Sequence, residues 1–253
     1  MADSPRVTVA ECELDALRSG TVDVLALLDT HLGVRVPGVL SPSECAALVR
    51  RVYAGSPFWT PDFDAVQFSL GRAWYTHLEQ DREDEYFAQA RTSDATVERL
   101  LPGFQARMRE LIALLVRGQA HRREGWCGPG LHIFPADGWL SHNGGDVHFD
   151  TEGLTDTQYE QRARALTVVL MLQPPETGGA LRLWDVIYPQ RERLPDDAFR
   201  ARGHDVDYRV GELLVIDSYR LHQIQPFRGG RDRISATAHA VRLDSGTDWE
   251  VWF

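Results

Sequence analysis

The sequence contains no lysine, since all 27 of its basic residues are arginine. A chain without lysine cannot form the Schiff base of pyridoxal-phosphate enzymes, and it lacks the side chain that a Walker A loop extends to nucleotide phosphates. Acidic residues number 37, which gives a net charge of −10. Because this charge repels a phosphate backbone, we expect no nucleic-acid partner.

Cysteines are few, and long apolar runs are missing. The three cysteines lie far apart and form no CxxC pair, so neither a zinc knuckle nor a disulfide framework is predicted. The first 20 residues lack the basic and apolar segments of a signal peptide. No apolar run reaches the ~20 residues that span a bilayer. We therefore expect a cytoplasmic protein that has no membrane partner.

The first half of the chain favours helices, and the second half favours strands. Ser41, Pro42 and Glu44 predict a capped helix start, and Gly55 ends that helix. Helical spacing is found in 7–30 (broken near residues 19–20), 41–55, 81–90 and 93–118 (broken at Pro102), and strands are predicted at 34–40 and 65–76.

After Gly118 short β-rich segments alternate with turn residues. The predicted strands are 131–135, 139–142, 146–150, 165–173, 180–185, 207–210, 212–217 and 233–243. Short strands at this spacing are typical of a sandwich, barrel or jelly roll. Helices followed by strands favour a single domain with the helices packed on one face of the sheets.

His148 and Asp150 form the first candidate for chemistry. If their segment is a strand, its period of two turns both side chains to one face. An imidazole and a carboxylate aimed the same way are two of the three ligands of a facial metal triad. His222, just after an apolar strand, is the candidate third ligand. The alternative for an isolated His-x-Asp pair is a solvated strand end.

A second polar face is predicted on the strand 233–243. Arg233 and Ser235 are two residues apart and share one face of it. A guanidinium beside a hydroxyl inside a sheet suits a dicarboxylate, because arginine holds a carboxylate through two parallel hydrogen bonds. Alternation alone leaves open whether this face is the inner one or the solvated one.

The sequence from Val34 to Leu243 resembles the iron(II)/2-oxoglutarate-dependent dioxygenases of the prolyl-4-hydroxylase-like branch. The similar segments, in order, are VPGVLSPSECAALV, HFD, ALTVVLMLQPPETGGALRLWD, GELLVIDSYRLHQIQPF and RDRIS. The resemblance implies a fold of the α+β class, a double-stranded β-helix (jelly roll) with N-terminal helices packed on one sheet. It implies a jelly-roll domain over 34–253 after an N-terminal helical extension, 1–33.

The resemblance also implies a site and an activity. His148, Asp150 and His222 would bind iron(II), and Arg233 and Ser235 would hold the distal carboxylate of 2-oxoglutarate. Dioxygen would then convert 2-oxoglutarate to succinate and CO₂ while an unactivated C–H bond is hydroxylated. Related halogenases replace the carboxylate ligand with a small residue, so the aspartate here favours hydroxylation.

Two departures from the branch stand out. The spacing from His222 to Arg233 is one residue longer than usual, so Arg231 is an alternative anchor for 2-oxoglutarate, although the serine that follows in register favours Arg233. Phe134 stands where a tyrosine is common. A hydroxyl contact to 2-oxoglutarate is therefore missing or comes from another residue.

For the substrate, the segment 67–80 faintly resembles family members that act on free amino acids, including lysine hydroxylases and halogenases. Arg72 would hold a substrate carboxylate, with Tyr75 and His77 beside it; the alternative is that Arg72 and His77 are surface groups paired with acids. We expect a small-molecule substrate, a free amino acid or a derivative. A peptide or carrier-bound substrate, a catalytically silent binding module and a zinc hydrolase are the alternatives.

Overall fold

The computed structural model describes residues 8–188, 203–243 and 246–253. The helices are α1 Leu14–Arg18, α2 Val24–Thr30, α3 Pro42–Ala54, α4 Trp74–Leu78, α5 Glu83–Leu100, α6 Phe104–Val116, α7 Trp139–Asn143 and α8 Asp156–Glu160, with a 3₁₀ turn at Ser56–Phe58. The strands are β1 Val9–Glu11, β2 Gly33–Val36, β3 Thr60–Asp62, β4 Gln67–Leu70, β5 Gln119–Arg122, β6 Gly130–Phe134, β7 Ala165–Gln173, β8 Thr177–Gly178, β9 Leu181–Ile187, β10 Gly203–Val206, β11 Leu213–Asp217, β12 Arg220–Ile224, β13 Phe227–Arg228, β14 Arg233–Arg242 and β15 Asp248–Trp252.

Two sheets form the body of the described chain. The larger has the order β1-β2-β11-β7-β14-β6-β4-β3, with β15 paired to β14 and β5 paired to β15. The smaller has the order β10-β9-β12, and β8 and β13 form a short pair. Residues of both sheets line one cavity, so the sheets face each other across it. This is the expected jelly roll of the α+β class.

The alternation of side chains along β7 separates the core from the cavity. Leu166, Val168 and Leu170 point into the main apolar core, which the helices also fill. Thr167 and Val169 lie between them in sequence and line the cavity. Because successive side chains of a strand point to opposite faces, one strand serves both.

Helices α1, α2, α3, α5 and α6 contribute to the core on the outer face of the large sheet. At the start of α3 the Ser41 hydroxyl accepts from the Glu44 backbone and the Glu44 carboxylate accepts from the Ser41 backbone, a capping box that confirms the predicted helix start. Cys45, Val49 and Val52 of α3 are buried in the same core as the apolar face of β7. No helix among the described residues is both long and apolar enough to cross a bilayer.

Several predicted elements are wrong. Residues 139–142 form the helix α7 and not a strand, because four residues are too few for periodicity to separate the two. The strand expected at 207–210 lies earlier, as β10. In the strand expected at 65–76, β4 ends at Leu70, Gly71 has a φ of +103° and α4 follows. Residues 146–150 form no regular strand, and His148 makes an isolated bridge with His222.

The two ends of the described chain add strands that the sequence did not indicate. Residues 9–11 pair in parallel with 33–36, so the segment before residue 34 contributes a strand to the large sheet as well as α1 and α2. Trp249 and Trp252 of β15 are each 1% exposed, and β15 pairs with β14. Both tryptophans therefore anchor the sheet.

Candidate metal centre

A cavity of about 420 Å³ lies between the two sheets. Its floor comes from the polar face of β14, with contributions from β6 and β7, and its opposite wall comes from β9 and β12. A volume of this size suits one small ligand or a co-substrate with part of a substrate. The chemistry-bearing residues predicted from the sequence meet in this cavity, apart from two described below.

His148, Asp150 and His222 come together in the cavity lining, with ligand atoms within 4.8 Å of one another. His148 and His222 exchange both backbone hydrogen bonds at 3.0 Å, which sets the two rings side by side. The Asp150 backbone donates to the carbonyl of Ser218 at 2.9 Å. Asp150 oxygens lie 3.5 Å from Nε2 of His148 and 3.2 Å from Nε2 of His222.

The outer nitrogens of both imidazoles are held by backbone carbonyls. Nδ1 of His148 is 2.9 Å from the carbonyl of Asp146, and Nδ1 of His222 is 2.9 Å from the carbonyl of Arg220. A carbonyl only accepts, so each Nδ1 carries a proton, and each Nε2 is the nitrogen that faces Asp150. Metal-binding histidines are oriented in this manner. The donor set, two imidazoles and one carboxylate, therefore fits iron(II).

Asp150 is largely buried, with its side chain 13% exposed, but remains ionised. Burial raises its pKa, but the neighbouring His222 and His148 outweigh burial and hold the pKa well below the usual range. The Thr167 hydroxyl donates to the Asp150 carboxylate at 2.6 Å, and the Ser218 hydroxyl lies 3.0 Å from that of Thr167. Sequence reasoning missed Thr167 as a partner, although the alternation along β7 turns it toward the cavity.

Arg233 and Ser235 line the cavity floor and are 2% and 1% exposed. Arg233 donates to the Ser235 hydroxyl at 3.3 Å, and among the described residues its Nε has no hydrogen-bond partner and no carboxylate lies within ion-pair distance. A buried guanidinium without an acid is costly, so this arrangement fits a carboxylate ligand such as 2-oxoglutarate. Arg231, the alternative anchor, is exposed.

The three residues predicted for the substrate are separated. Tyr75 lines the cavity, and its hydroxyl lies 2.5 Å from the Gln67 amide. Arg72 and His77 lie outside the cavity lining. Arg72 is 2.8 Å from Nε2 of His77 and donates to Glu85 at 2.9 Å. The structure thus favours the alternative in which Arg72 pairs with an acid. His77 is fully buried behind Arg72.

Sequence reasoning also missed Tyr208, which lines the cavity beside Arg233. The centroid of its ring is 5.2 Å from the guanidinium carbon of Arg233. Its segment was predicted as a strand, and nothing in that pattern indicated a role in the site.

Comparisons with known proteins point to one family. Residues 139–240 match the model of the 2OG-Fe(II) oxygenase superfamily. Among solved structures, the non-heme alpha ketoglutarate dependent epimerase SnoN from nogalamycin biosynthesis is 17% identical with a TM-score of 0.55, over 90% of this chain and 86% of that chain. SnoN in complex with Fe3+, alpha ketoglutarate and nogalamycin RO is 15% identical with a TM-score of 0.60, over 90% and 87%. A Pseudomonas putida prolyl-4-hydroxylase is 20% identical with a TM-score of 0.42, over 88% and 98%.

A search of curated protein sequences found no match. At these identities the SnoN structures establish the shared fold alone. The segment that matches the family model contains the His-Asp-His cluster and the buried arginine of the cavity floor. Residues 139–240 therefore match the 2OG-Fe(II) oxygenase superfamily, and the protein is a dioxygenase that uses iron(II) and 2-oxoglutarate.

Proposed function

We propose that this dioxygenase hydroxylates an unactivated C–H bond of a small molecule, with His148, Asp150 and His222 as its iron ligands. The observation that carries the proposal is the set of two Nε2 atoms and one carboxylate that converge in the cavity, each with its outer atom held by a carbonyl or a hydroxyl. The presence of a carboxylate ligand supports hydroxylation over halogenation.

The roles of the protein groups follow from their positions. The iron, when bound with 2-oxoglutarate, supplies the activation of dioxygen that oxidises the C–H bond. Arg233 and Ser235 hold the distal carboxylate of 2-oxoglutarate and so fix its orientation toward the three ligands. Thr167 holds the Asp150 carboxylate by its 2.6 Å hydrogen bond, which limits its rotation as ligands exchange.

A small-molecule substrate is supported by the size of the cavity and by its aromatic wall. Phe63, Tyr75 and Trp139 line it on the side of α4 and α7, and Trp139 is 55% exposed. Free amino acids and their derivatives are the class to test first. Because Arg72 is bonded to His77 and Glu85, we expect its replacement to leave substrate affinity unchanged.

Succinate release, screened across free amino acids, amines and short peptides with the product mass recorded, tests the proposal. We expect one compound to stimulate succinate release and to gain one oxygen atom. If only peptides stimulate succinate release, the substrate is a peptide and not a free amino acid or amine. If 2-oxoglutarate is decarboxylated under no condition, with or without a stimulating compound, that result would favour a catalytically silent binding module.

Variants separate the proposed site from the rest of the chain. His148→Ala should abolish succinate release. His121→Ala is the matched control, because His121 is an exposed histidine on β5 and should leave release unchanged. Retained turnover in His148→Ala would contradict the assignment of the ligands.

A further inference from the structure

The Tyr208 hydroxyl is a buried donor without an acceptor. Tyr208 lies between β10 and β11, and its side chain reaches the cavity floor. Among the described residues its hydroxyl makes no hydrogen bond of good geometry, although it lies against the guanidinium of Arg233. A buried polar group left unpaired costs free energy, so an orphaned hydroxyl that faces a cavity indicates a ligand atom.

The guanidinium of Arg233 lies between two aromatic rings, one with a hydroxyl and one without. Its carbon is 5.2 Å from the centroid of Phe134 and 5.2 Å from that of Tyr208. Phe134 is the direct register partner of Arg233 between β6 and β14. Tyr208 comes from the loop before β11. The same arginine is thus flanked by a hydroxyl from an element that the sequence pattern did not indicate.

Two donors beside each other therefore lack an acceptor: Nε of Arg233 and the Tyr208 hydroxyl. Glu212 is an acid whose charge acts on Tyr208; one of its oxygens is held by Arg35 at 2.6 Å, and the other likewise makes no hydrogen bond among the described residues. We propose that the Tyr208 hydroxyl donates a hydrogen bond to the distal carboxylate of 2-oxoglutarate, the same carboxylate that Arg233 holds, and so replaces the hydroxyl that Phe134 lacks. This inference rests on the proposed function.

The protonation of Tyr208 supports a donor role. Burial is the main cause that raises the pKa of Tyr208 to about 12, so the hydroxyl keeps its proton at neutral pH and donates it to a carboxylate without transfer. Burial also lowers the pKa of Arg233, and the guanidinium nevertheless stays charged. A hydrogen bond to a charged acceptor away from water is among the stronger kinds.

A comparison of two ligands on one variant tests the contact. The manganese(II)-loaded protein, which does not turn over, is titrated calorimetrically with 2-oxoglutarate and with 2-oxopentanoate. The second ligand has the same 2-oxo acid end but a methyl group in place of the distal carboxylate. In Tyr208→Phe, which keeps the ring against Arg233, the Kd for 2-oxoglutarate should rise by about tenfold or more, the usual size for a hydrogen bond to a charged group. The Kd for 2-oxopentanoate should change by less than about twofold.

Tyr219→Phe is the matched control. Tyr219 also has a buried hydroxyl without a partner among the described residues, but it packs against Arg162 and does not line the cavity. The Tyr219→Phe variant should bind both ligands with the Kd of the wild type. Wild-type affinity for 2-oxoglutarate in Tyr208→Phe would overturn the inference, and so would an equal loss for both ligands. If the wild type binds neither ligand, the proposed function and the inference on Tyr208 both fail.

Discussion

The two faces of β14 differ in what they contribute to the molecule. Ile234 and Ala236 point toward the helices and are fully buried in the main core. Arg233, Ser235 and Thr237 alternate with them and line the cavity. The helix side is apolar and close-packed. The cavity side contains charged and hydroxyl groups, and some of these have no partner within the described chain.

Three of the buried polar atoms that lack a partner among the described residues lie on the cavity side. Nε of Arg233, Nδ1 of His132 and the hydroxyl of Tyr208 all lack hydrogen-bond partners among the described residues, and all three side chains line the cavity. Polar groups left in this way reduce stability. The comparison indicates that the helix side stabilises the fold, whereas the cavity side is arranged for ligands. Substitutions on the two sides should therefore change different measurements.

The largest effect is expected at the metal centre. Asp150→Ala removes the carboxylate that faces both imidazoles, so iron(II) affinity should fall by more than the ~10–100-fold typical of a residue that only supports a ligand. Thr167→Val removes the hydrogen bond to that carboxylate, and its loss of iron(II) affinity should lie within that range. Equilibrium metal titrations of the two variants measure the difference. Equal affinities in Asp150→Ala and the wild type would rule out Asp150 as a ligand.

The next effect concerns the helix side. Leu170→Ala should destabilise the protein by about 2–5 kcal/mol, because it opens a cavity in the core. Val169→Ala, on the neighbouring cavity-facing position, should cost less. Urea unfolding measures both, and Leu170→Ala should keep the wild-type Kd for 2-oxoglutarate. If Leu170→Ala changed that Kd while stability was preserved, the separation of the two faces would be wrong.

Arg233→Gln should weaken ligand binding without loss of stability, the reverse of what is expected for Leu170→Ala. Loss of the charged contacts to the distal carboxylate should weaken 2-oxoglutarate binding by about a hundredfold. The free energy of unfolding should stay constant or rise, because the buried guanidinium has no acidic partner among the described residues. Arg231→Gln, at an exposed position, serves as the control and should change neither quantity. A strong loss of stability in Arg233→Gln would mean that the arginine is structural.

The smallest effect is a pH dependence of stability. Burial, helped by the nearby His239 and Arg233, lowers the pKa of His132 to about 3 in the folded protein. Unfolded histidine titrates near 6.5, so the unfolded state takes up this proton first. His132 therefore contributes stability above pH ~6.5 that is lost as the pH falls, by about 1.4 kcal/mol per unit.

A pair of unfolding measurements isolates that contribution. From pH 7.5 to pH 5 the wild type should lose about 2 kcal/mol more than His132→Leu. Identical losses in the two proteins would show that His132 is protonated in the folded state, which would contradict a dry, partly unsatisfied cavity face.

The features that the sequence predicted correctly are local in origin. The capping box at Ser41 needs only four residues, and the alternation along 165–173 and 233–243 needs only a strand. The juxtaposition of His148 with His222 is a long-range contact, which the search for a third metal ligand suggested and the family resemblance supported; their role as iron ligands stays a prediction. The family expected from that resemblance is confirmed for the segment 139–240.

The features that the sequence did not predict depend on long-range partners. Arg72 turns from the cavity to His77 and to Glu85 on α5, a pairing that no local pattern encodes. Tyr208 reaches Arg233 from a loop that was predicted as a strand. Short segments of four residues, such as 139–142, satisfy the helical and the strand period equally well.

An anaerobic titration of the protein with iron(II) and 2-oxoglutarate tests the central claim most directly. The account predicts a visible charge-transfer band that requires both additives and that disappears in the double variant His148→Ala/His222→Ala. A wild-type protein that develops no band with both additives, or a band that persists in the double variant, would contradict it.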